Sequence, residues 1–378
     1  MVATFIFEIS ILLTAAIVGG LIVRRLGYPS ALGELLVGIA IGPFALGFVH
    51  QSEHITMFAE LGAIILLFYI GLQVETQHLR RVLKPSILVG TAGAFIPLAL
   101  GYYSGVLLGL QESEALFLGA VLSATSLGIT VRMLTDLKKL HTRMGMTIVG
   151  AGVVDDVIAI ILLTIITGSL AGQLQLIDVG TLLITVIGFW VAVLLIGLKV
   201  ISRLLNRISI GIENELLLVF ALGFAAAFIS GSLGMSTIIG AFAIGVSLSG
   251  FRKINKVLEK GHGIYLFFVP IFFVSIGMMV NLQLFVSAIL PSLLITAVAL
   301  MGKVGACGTA ALLTGSSPRD AFRIGVGMSP RGEMGLIIAG IGLASGFIGD
   351  QVFSLAVVSV TLTTLIGMPA LKIALKNA

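Results

Sequence analysis

Charged residues are scarce in this chain of 378 amino acids. Asp, Glu, Lys and Arg together make up 10% of it, whereas soluble domains carry about 25%. Hydrophobic residues make up 58%, and the mean hydropathy is +1.18. Such a chain cannot cover itself with a water-soluble surface, so a set of soluble domains is excluded and a lipid environment is expected.

Strict alternation of apolar and polar residues is also missing. A membrane β-barrel would show segments of about 10 residues with a period of two, which runs such as ILLFYIGL and IIAGIGLASG lack. A spanning helix needs about 20 mostly apolar residues, and stretches of that kind fill almost the whole chain. The predicted fold class is therefore all-α, a polytopic bundle of membrane helices.

Cysteine is limited to Cys307, so no intrachain disulfide can form. The five histidines lie in loops or at the ends of apolar runs, without an HExxH arrangement, so a catalytic zinc site is not expected. No cofactor is predicted. The net charge of +5 does not indicate nucleic-acid binding, because the basic residues lie in short loops, where they orient helices in a membrane.

Apolar run length, with Gly, Pro and charge clusters as breaks, predicts thirteen spans in a single transmembrane domain of residues 1–378. The predicted spans cover residues 5–23, 30–48, 57–73, 86–109, 115–134, 145–169, 179–202, 214–231, 234–250, 263–280, 284–314, 321–345 and 351–371.

Basic residues test this order of spans, because Lys and Arg collect in the short cytoplasmic loops of membrane proteins. They follow the odd-numbered spans, beginning with Arg24 and Arg25, and Arg132 is assigned to the loop after span five. All of the 22 Lys and Arg residues except Lys303 and Arg331 fall on one side. The pattern predicts a multi-pass protein of the inner (plasma) membrane, with its N-terminus outside and its C-terminus in the cytoplasm.

An odd number of spans is compatible with two inverted repeats, from which many transporters are built. Residues of about 1–170 and 212–378 would form the repeats, joined by the helix at 179–202. This division predicts that a disrupted helix in one half has a counterpart in the other half.

Two segments match such a pair of disrupted helices. In span five, VLSATSLGITVRML places Thr125 and Ser126 in a cluster of hydroxyl residues around Gly128, and in span twelve VGMSPRGEMGLII is interrupted by Pro330 and Gly332. Unwound backbone at membrane depth needs protein or a water-filled cavity to satisfy its polar groups. Its carbonyls and half-helix ends can then bind ions.

The strongest polar signal is GAGVVDDVIAI in span six. Asp155 and Asp156 lie about ten residues into that span, which at 1.5 Å per residue puts them roughly 15 Å deep, near the bilayer midplane. Ionisable residues at that depth mark routes for ions or protons. Adjacent helical residues diverge by about 100°, so one carboxylate can face a buried cation while the other lines a cavity.

The remaining charged residues of the spans have structural and functional interpretations. Lys303 in ALMGKVGACGTAALL is deep enough to neutralise one aspartate, as part of an ion site or as a salt bridge between helices. Arg331 and Glu333 would not face each other on a regular helix, so each is expected to pair elsewhere or to balance a half-helix dipole, with a structural role favoured for Arg331. Glu34 and Glu60 are expected to be solvated or to frame a route of access.

Together these segments resemble the monovalent cation:proton antiporter superfamily, in the branch of NapA-type sodium/proton exchangers and of the membrane domains of Kef-type potassium/proton systems. The resemblance rests on GELLVGIAIGP, ELGAIILLFYIGLQ, SATSLGIT, GAGVVDD, GKVGA and MSPRGEMGLI. It implies crossed broken helices in a core domain that moves against a dimer-forming scaffold domain, an elevator-like form of alternating access.

The resemblance also implies roles for individual residues. Asp156 resembles the aspartate that carries the cation or the proton, Asp155 its neighbour, and Lys303 the lysine paired to that neighbour. Thr125 and Ser126 match the unwound stretch. The Asp-Asp pair is similar to the electrogenic pattern, in which more than one proton is exchanged per cation. The expected partners are Na+, Li+ or K+, protons, membrane lipid and a second copy of the chain.

Four other functions share parts of this pattern. A channel would normally repeat its filter around a symmetric pore, and an aspartyl protease needs carboxylates on facing helices. A Kef-type K+/H+ antiporter and a sodium-coupled organic-anion symporter stay open as alternatives. Hydroxyl and carbonyl oxygens are hard ligands, which favours Na+ or Li+ for the proposed exchange.

Overall fold

The structure is a computed structural model that describes residues 2–74, 76–170, 176–207, 211–280 and 282–375. In these ranges the chain is helical and contains no strand, which confirms the predicted fold class. The helices are α1 (Val2–Arg25), α2 (Ser30–Ile41), α3 (Glu53–Gln73), α4 (Thr76–Leu107), α5 (Glu112–Ser123), α6 (Leu127–Asp136), α7 (Arg143–Leu170), α8 (Leu176–Ile196), α9 (Ser202–Arg207), α10 (Ile212–Ser232), α11 (Thr237–Leu248), α12 (Ile254–Met278), α13 (Leu282–Leu313), α14 (Pro318–Gly327), α15 (Glu333–Ala344) and α16 (Asp350–Leu375).

Ten helical segments of the described residues are long and apolar enough to cross a membrane, and three shorter apolar helices accompany them. Each predicted span coincides with one helix or with consecutive helices. The shorter helices α2 and α11 have 12 residues each and therefore reach only about 18 Å, less than the hydrocarbon thickness of about 30 Å. The number of thirteen membrane crossings therefore stays a prediction.

The predicted end of span two at residue 48 is wrong, because α2 ends at Ile41. Pro43 disfavours the helical conformation of the residue before it. The chain then turns through Gly47, which has a φ of 68°, in the left-handed region that glycine adopts at no steric cost.

The long helices pack into two bundles. One bundle, called the scaffold bundle below, consists of α1, α2, α3, α10, α11 and α12. The other, called the core bundle, consists of α4, α5, α7, α13, α14, α15 and α16. Each bundle thus takes helices from both halves of the chain. α6 continues from α5 and contacts both bundles, and α8 lies against α7 and α11.

Backbones approach each other closely within each bundle. A Cβ atom added to Gly71 of α3 would lie 2.6 Å from the carbonyl oxygen of Phe242 in α11. A Cβ atom added to Gly90 of α4 would lie 2.7 Å from the carbonyl oxygen of Ala151 in α7. Small residues permit such contacts between membrane helices and strengthen their packing.

Side chains fill the boundary between the bundles at α6. A Cβ atom on Gly128 of α6 would meet the ring of Phe272 in α12 at 3.3 Å and the side chain of Leu66 in α3 at 3.6 Å. Here the scaffold presents flexible side-chain ends rather than backbone. The scaffold and the core are therefore separately well packed, and at Gly128 they meet through apolar side chains.

Candidate ion-binding site

The first predicted break lies between α5 and α6. α5 ends at Ser123 and α6 begins at Leu127, so the unwound residues are Ala124, Thr125 and Ser126. Ser126 caps α6, its hydroxyl accepting a hydrogen bond from the Ile129 N–H at 3.3 Å. Gly128, around which the hydroxyl residues of this segment cluster, lies inside α6.

The second predicted break lies between α14 and α15. Its residues are 328–332, between the end of α14 at Gly327 and the start of α15 at Glu333. Glu333 is the first residue of the second half-helix, and its side chain lies outside the described residues. The hydroxyl of Thr364 in α16 donates to the carbonyl of Arg331 in this segment.

The two breaks touch each other. The Ser126 N–H donates to the Pro330 carbonyl at 2.9 Å, and the Thr130 hydroxyl donates to the Gly327 carbonyl at 2.9 Å. The last carbonyls of an α-helix have no partner inside it. Ser126 and Thr130, at and just after the first break, therefore donate hydrogen bonds to carbonyls at the second break that have no partner in a helix. Unwound backbone at membrane depth requires such partners.

Arg331 lies against the end of α5. Its side chain is fully buried, and its Nε donates to the Leu122 carbonyl at 2.8 Å. Further hydrogen bonds run from Nη1 to the Ser329 carbonyl at 3.2 Å and from Nη2 to the Ala299 carbonyl at 3.4 Å. A guanidinium group at the C-terminus of a half-helix offsets the negative end of its dipole.

Lys303 is the second buried cation at the end of α5. Its ammonium group lies 2.9 Å from Asp155 Oδ1, 2.5 Å from the Ser123 carbonyl and 2.7 Å from the Gly93 carbonyl. All three ammonium protons thus have an acceptor. A buried ion pair needs such additional hydrogen bonds to offset the desolvation of both charges.

The two neighbouring aspartates of α7 have different surroundings. Asp155 pairs with Lys303 and is 1% exposed, whereas Asp156 is 7% exposed. One turn before Asp156, a Cβ atom on Gly152 would lie 2.6 Å from Leu127, the residue that follows Ser126. Residues four apart share a helix face, so Asp156 lies on the face of α7 that packs against the first break.

A small cavity lies between the bundles beside the second break. Its lining includes Leu35, Ile276 and Val280 on the scaffold side and Arg331 and Gly332 of the second break. Ile276 is at the end of α12 that is remote from its basic first turns, and Val280 follows that end. The cavity therefore approaches the breaks from the side opposite to the basic loops.

The expected place of Arg132 is wrong, because it does not lie in a solvated loop but inside α6, where it is 4% exposed. Glu34, expected to be solvated or to frame a route of access, is not solvated, since it is also 4% exposed. Their side chains approach to 3.6 Å. The spacing of Arg132 and Asp136, four residues apart on one helix and 3.3 Å from each other, is the sequence signal that could have placed Arg132 in a helix. Glu60 is exposed as expected.

In this bundle of apolar helices, two broken helices meet beside the buried side chains of Lys303 and Arg331 and a pair of aspartates. This arrangement is typical of a secondary ion transporter. The model of the family described as "Sodium/hydrogen exchanger, transmembrane" matches residues 11–377. The chain belongs to this family and is an antiporter rather than an enzyme.

Similar proteins cover almost the whole chain. It is 37% identical over 376 residues to the Na(+)/H(+)-K(+) antiporter GerN of Bacillus cereus, and the aligned region covers 97% of this chain and 95% of GerN. It is 32% identical over 372 residues to a Na(+)/H(+) antiporter of Enterococcus hirae, covering 97% of both. The solved structure of the sodium proton antiporter MjNhaP1 from Methanocaldococcus jannaschii shares the fold, with a TM-score of 0.74, 18% identity and 99% coverage of both chains.

Proposed function

We propose that the protein exchanges a monovalent cation, Na+ or Li+ in preference to K+, for protons at Asp156. A carboxylate holds a proton or coordinates a dehydrated cation, and it cannot do both well. Exchange is obligatory when the core crosses the membrane only with a proton or a cation bound to Asp156, and not with the carboxylate unoccupied. The observation that carries this proposal is the difference between Asp155, which Lys303 already pairs, and Asp156, which lies on the face of α7 that packs against the unwound segment.

Thr125 and Ser126 supply further oxygens for the cation in this proposal. The Thr125 hydroxyl donates its proton to the Met328 carbonyl at 3.3 Å, so the lone pairs of its oxygen are available to a cation. The Ser126 oxygen accepts from Ile129 N–H and has a second lone pair. Hard oxygen ligands of this kind suit Na+ and Li+.

Asp155 assists Asp156 in this scheme. Its Oδ2 is buried and has no hydrogen-bond partner among the described residues, so it is available for a cation. When the cation binds, Lys303 gives up a proton and releases Asp155. When the cation leaves, Asp156 and Lys303 each take up one proton. Two protons then return for each cation, and the exchange is electrogenic.

Alternating access in this proposal is a movement of the core bundle against the scaffold bundle. The contrast between backbone contacts within the bundles and side-chain contacts at α6 supports an elevator-like movement, because each bundle can keep its packing while the side chains between them slide. Arg331 and Glu333 belong to the moving core, with Arg331 holding the end of α5 in place.

The remaining features follow from the resemblance described above. We propose a homodimer that associates through the scaffold bundle in the plasma membrane, surrounded by lipid, with the N-terminus outside and the C-terminus in the cytoplasm. The two repeats, about 1–170 and 212–378, are inverted in this proposal. Exposed apolar side chains on α1, such as Ile17 and Leu21, suit contact with lipid or with a second scaffold bundle.

K+/H+ exchange is the second candidate. It is favoured by the 37% identity to a relative whose name includes K+ as well as Na+. Adding Na+, Li+ and K+ in turn to proteoliposomes that contain a pH-sensitive dye separates the candidates, since proton efflux follows the transported cation.

The test of the site is Asp156→Asn in the same liposomes. We expect cation-driven proton efflux to disappear while the purified protein stays helical and monodisperse, because the amide can neither carry the proton nor neutralise the cation. Asp350→Asn, the same change at an exposed residue at the start of α16, is the control and should exchange like the wild type. Exchange that persists in Asp156→Asn rejects the assignment.

The competition between proton and cation also predicts a pH dependence. Where both groups hold a proton before the cation binds, the apparent KM for the cation should rise up to about a hundredfold for each pH unit of acidification, since Asp156 and Lys303 must each lose a proton when the cation binds. Initial rates at several cation concentrations and pH values measure this slope. A KM that does not change with pH contradicts the competition.

A further inference from the structure

A second cluster of buried charges lies apart from the ion site and is centred on Arg132. The Arg132 guanidinium lies 3.6 Å from Glu34 and 3.3 Å from Asp136. It donates to the Tyr265 hydroxyl at 2.8 Å and to the Ser30 hydroxyl at 2.9 Å. Ser30 in turn donates to Asp136 at 3.1 Å. The proposed exchange at Asp156 uses none of these groups.

These bonds connect the scaffold bundle with the helix that carries the first break. Arg132 and Asp136 are on α6, whose first turn is capped by the proposed ligand Ser126. Glu34 is on α2 of the scaffold and Tyr265 is on α12 of the scaffold. Any displacement of α6 along the scaffold must therefore separate the Arg132 guanidinium from these partners.

The cluster lies near the basic side of the molecule. Ser30 begins α2 shortly after Arg24 and Arg25, α6 is followed by Lys138 and Lys139, and Tyr265 follows the basic first turns of α12. The cavity beside Arg331 and Gly332 approaches the breaks from the opposite side. The interface thus has an ionic, closed end towards the predicted cytoplasm and a cavity at the other end.

The cluster is only partly satisfied in this conformation. Glu34 Oε2 is buried and has no hydrogen-bond partner among the described residues, and Arg132 Nε has only its 3.3 Å ion pair with Asp136. Separating the bundles would admit water, which can hydrogen-bond to both atoms and repay part of the Coulomb attraction that is lost. Such a contact can open at moderate cost, as a switching element requires.

We propose that Arg132, Glu34 and Tyr265 form an ionic gate that closes the basic side of the transporter and opens once in every transport cycle. The gate rests on the proposed alternating access, and it adds the group that holds the basic side shut. Arg132 acts as a positioning residue, because it ties α6 and the break at its N-terminus to the scaffold.

Cross-linking across the gate tests this proposal. In a Cys307→Ser background, Ser30→Cys and Asp136→Cys place two thiols where the native side chains lie 3.1 Å apart, one on each side of the interface. A short bis-methanethiosulfonate reagent should stop cation-driven proton efflux in liposomes, and dithiothreitol should restore it. Full exchange by the cross-linked protein would overturn the gate, as would failure of the two cysteines to cross-link.

The control pair spans two helices of the same bundle. Glu213→Cys and Lys260→Cys replace an exposed ion pair of 3.5 Å between α10 and α12, and cross-linking them should leave the exchange rate unchanged. Both double variants should exchange cations for protons before cross-linking, and adding Asp156→Asn to either should abolish this exchange. That result supports the proposed function independently of the gate. If the wild-type protein exchanges no cation for protons, the proposed function fails. Hydrogen–deuterium exchange then still tests the contact between α6 and the scaffold.

Hydrogen–deuterium exchange of the backbone amides tests the contact of α6 with the scaffold without a transport assay. Arg132→Met should increase deuterium uptake over residues 127–136 severalfold in the detergent-solubilised protein, because α6 loses its polar contacts with the scaffold. Glu215→Gln is the matched control, since it removes a buried carboxylate that pairs with Lys253 at 2.5 Å inside the scaffold bundle. Unchanged uptake in Arg132→Met, or equal uptake in both variants, contradicts the gate.

Discussion

The two buried ion pairs Lys303–Asp155 and Arg132–Glu34 use similar chemistry in different places. Lys303 joins α13 to α4, α5 and α7, all helices of the core bundle. Arg132 joins α6 to α2 and α12 of the scaffold bundle. Every proton of the Lys303 ammonium group has an acceptor, whereas Arg132 Nε meets only the Asp136 carboxylate of its own helix, in an ion pair of 3.3 Å. Both pairs leave one buried carboxylate oxygen, Asp155 Oδ2 or Glu34 Oε2, without a hydrogen-bond partner among the described residues. They differ in place, because the bonds of Lys303 stay within one bundle and those of Arg132 cross between the bundles.

The largest expected effect is a difference in stability between variants of these two ion pairs. Lys303→Met leaves Asp155 buried without a counter-charge and should lower the free energy of unfolding by about 3–5 kcal/mol. Arg132→Met should lower it by less than half as much, because opening of the interface hydrates Glu34. Chemical denaturation in detergent measures both values.

Lys372→Met, which removes an ammonium group stacked on the Tyr28 ring at 3.7 Å, is a control for the loss of a lysine at the surface. Equal losses in Lys303→Met and Arg132→Met would show that the two pairs do not differ in the way proposed here.

The junction of the two breaks should be nearly as sensitive as the core ion pair. A Cβ atom on Gly332 would lie 2.9 Å from Ser126 Oγ and 3.0 Å from Ile129 Cδ1, so Gly332→Ala should cost about 1–3 kcal/mol through overpacking and slow the exchange. Gly340→Ala in α15, the helix that follows Gly332, meets nothing within 4 Å and should not destabilise the protein. Matching melting temperatures of the two variants would contradict the contact between the breaks.

A single hydroxyl between the breaks has a smaller expected effect. Thr130→Val removes the hydrogen bond to the Gly327 carbonyl of 2.9 Å and leaves that carbonyl buried and unpaired, at a cost of about 1–2 kcal/mol. Thr135→Val removes a bond of the same length to Val131 in its own helix and should cost less. The difference in denaturation midpoint between the two variants measures the contact, and its absence would argue against it.

The smallest effect is expected at the exposed ion pair of the scaffold. Lys260 and Glu213 are 48% and 82% exposed and 3.5 Å apart, and exposed pairs contribute little because water and salt screen them. Lys260→Gln should stay within about 0.5 kcal/mol of the wild type in unfolding and should exchange at the wild-type rate. A larger loss would show that charges within the scaffold matter as much as those between the bundles.

Sequence reasoning located the helices and both breaks because lipid leaves the chain few choices. Each backbone group in the membrane must be satisfied within the protein, so apolar runs become helices, and Pro330 with Gly332 marks an interruption. The same reasoning misplaced Arg132 and Glu34, because charged residues near the ends of apolar runs look the same whether they meet water or each other. Only the packing of α2 against α6 distinguishes the two cases.

The amino-acid sequence by itself determined the class of protein, the approximate helix positions and the presence of polar groups near the middle of the membrane, because hydropathy and helix periodicity are local properties. The tertiary structure decided which charges meet. Lys303 reaches Asp155 across 148 positions of the chain, and Arg331 reaches the Leu122 carbonyl across 209. Such contacts depend on how the helices pack, and no local pattern records them.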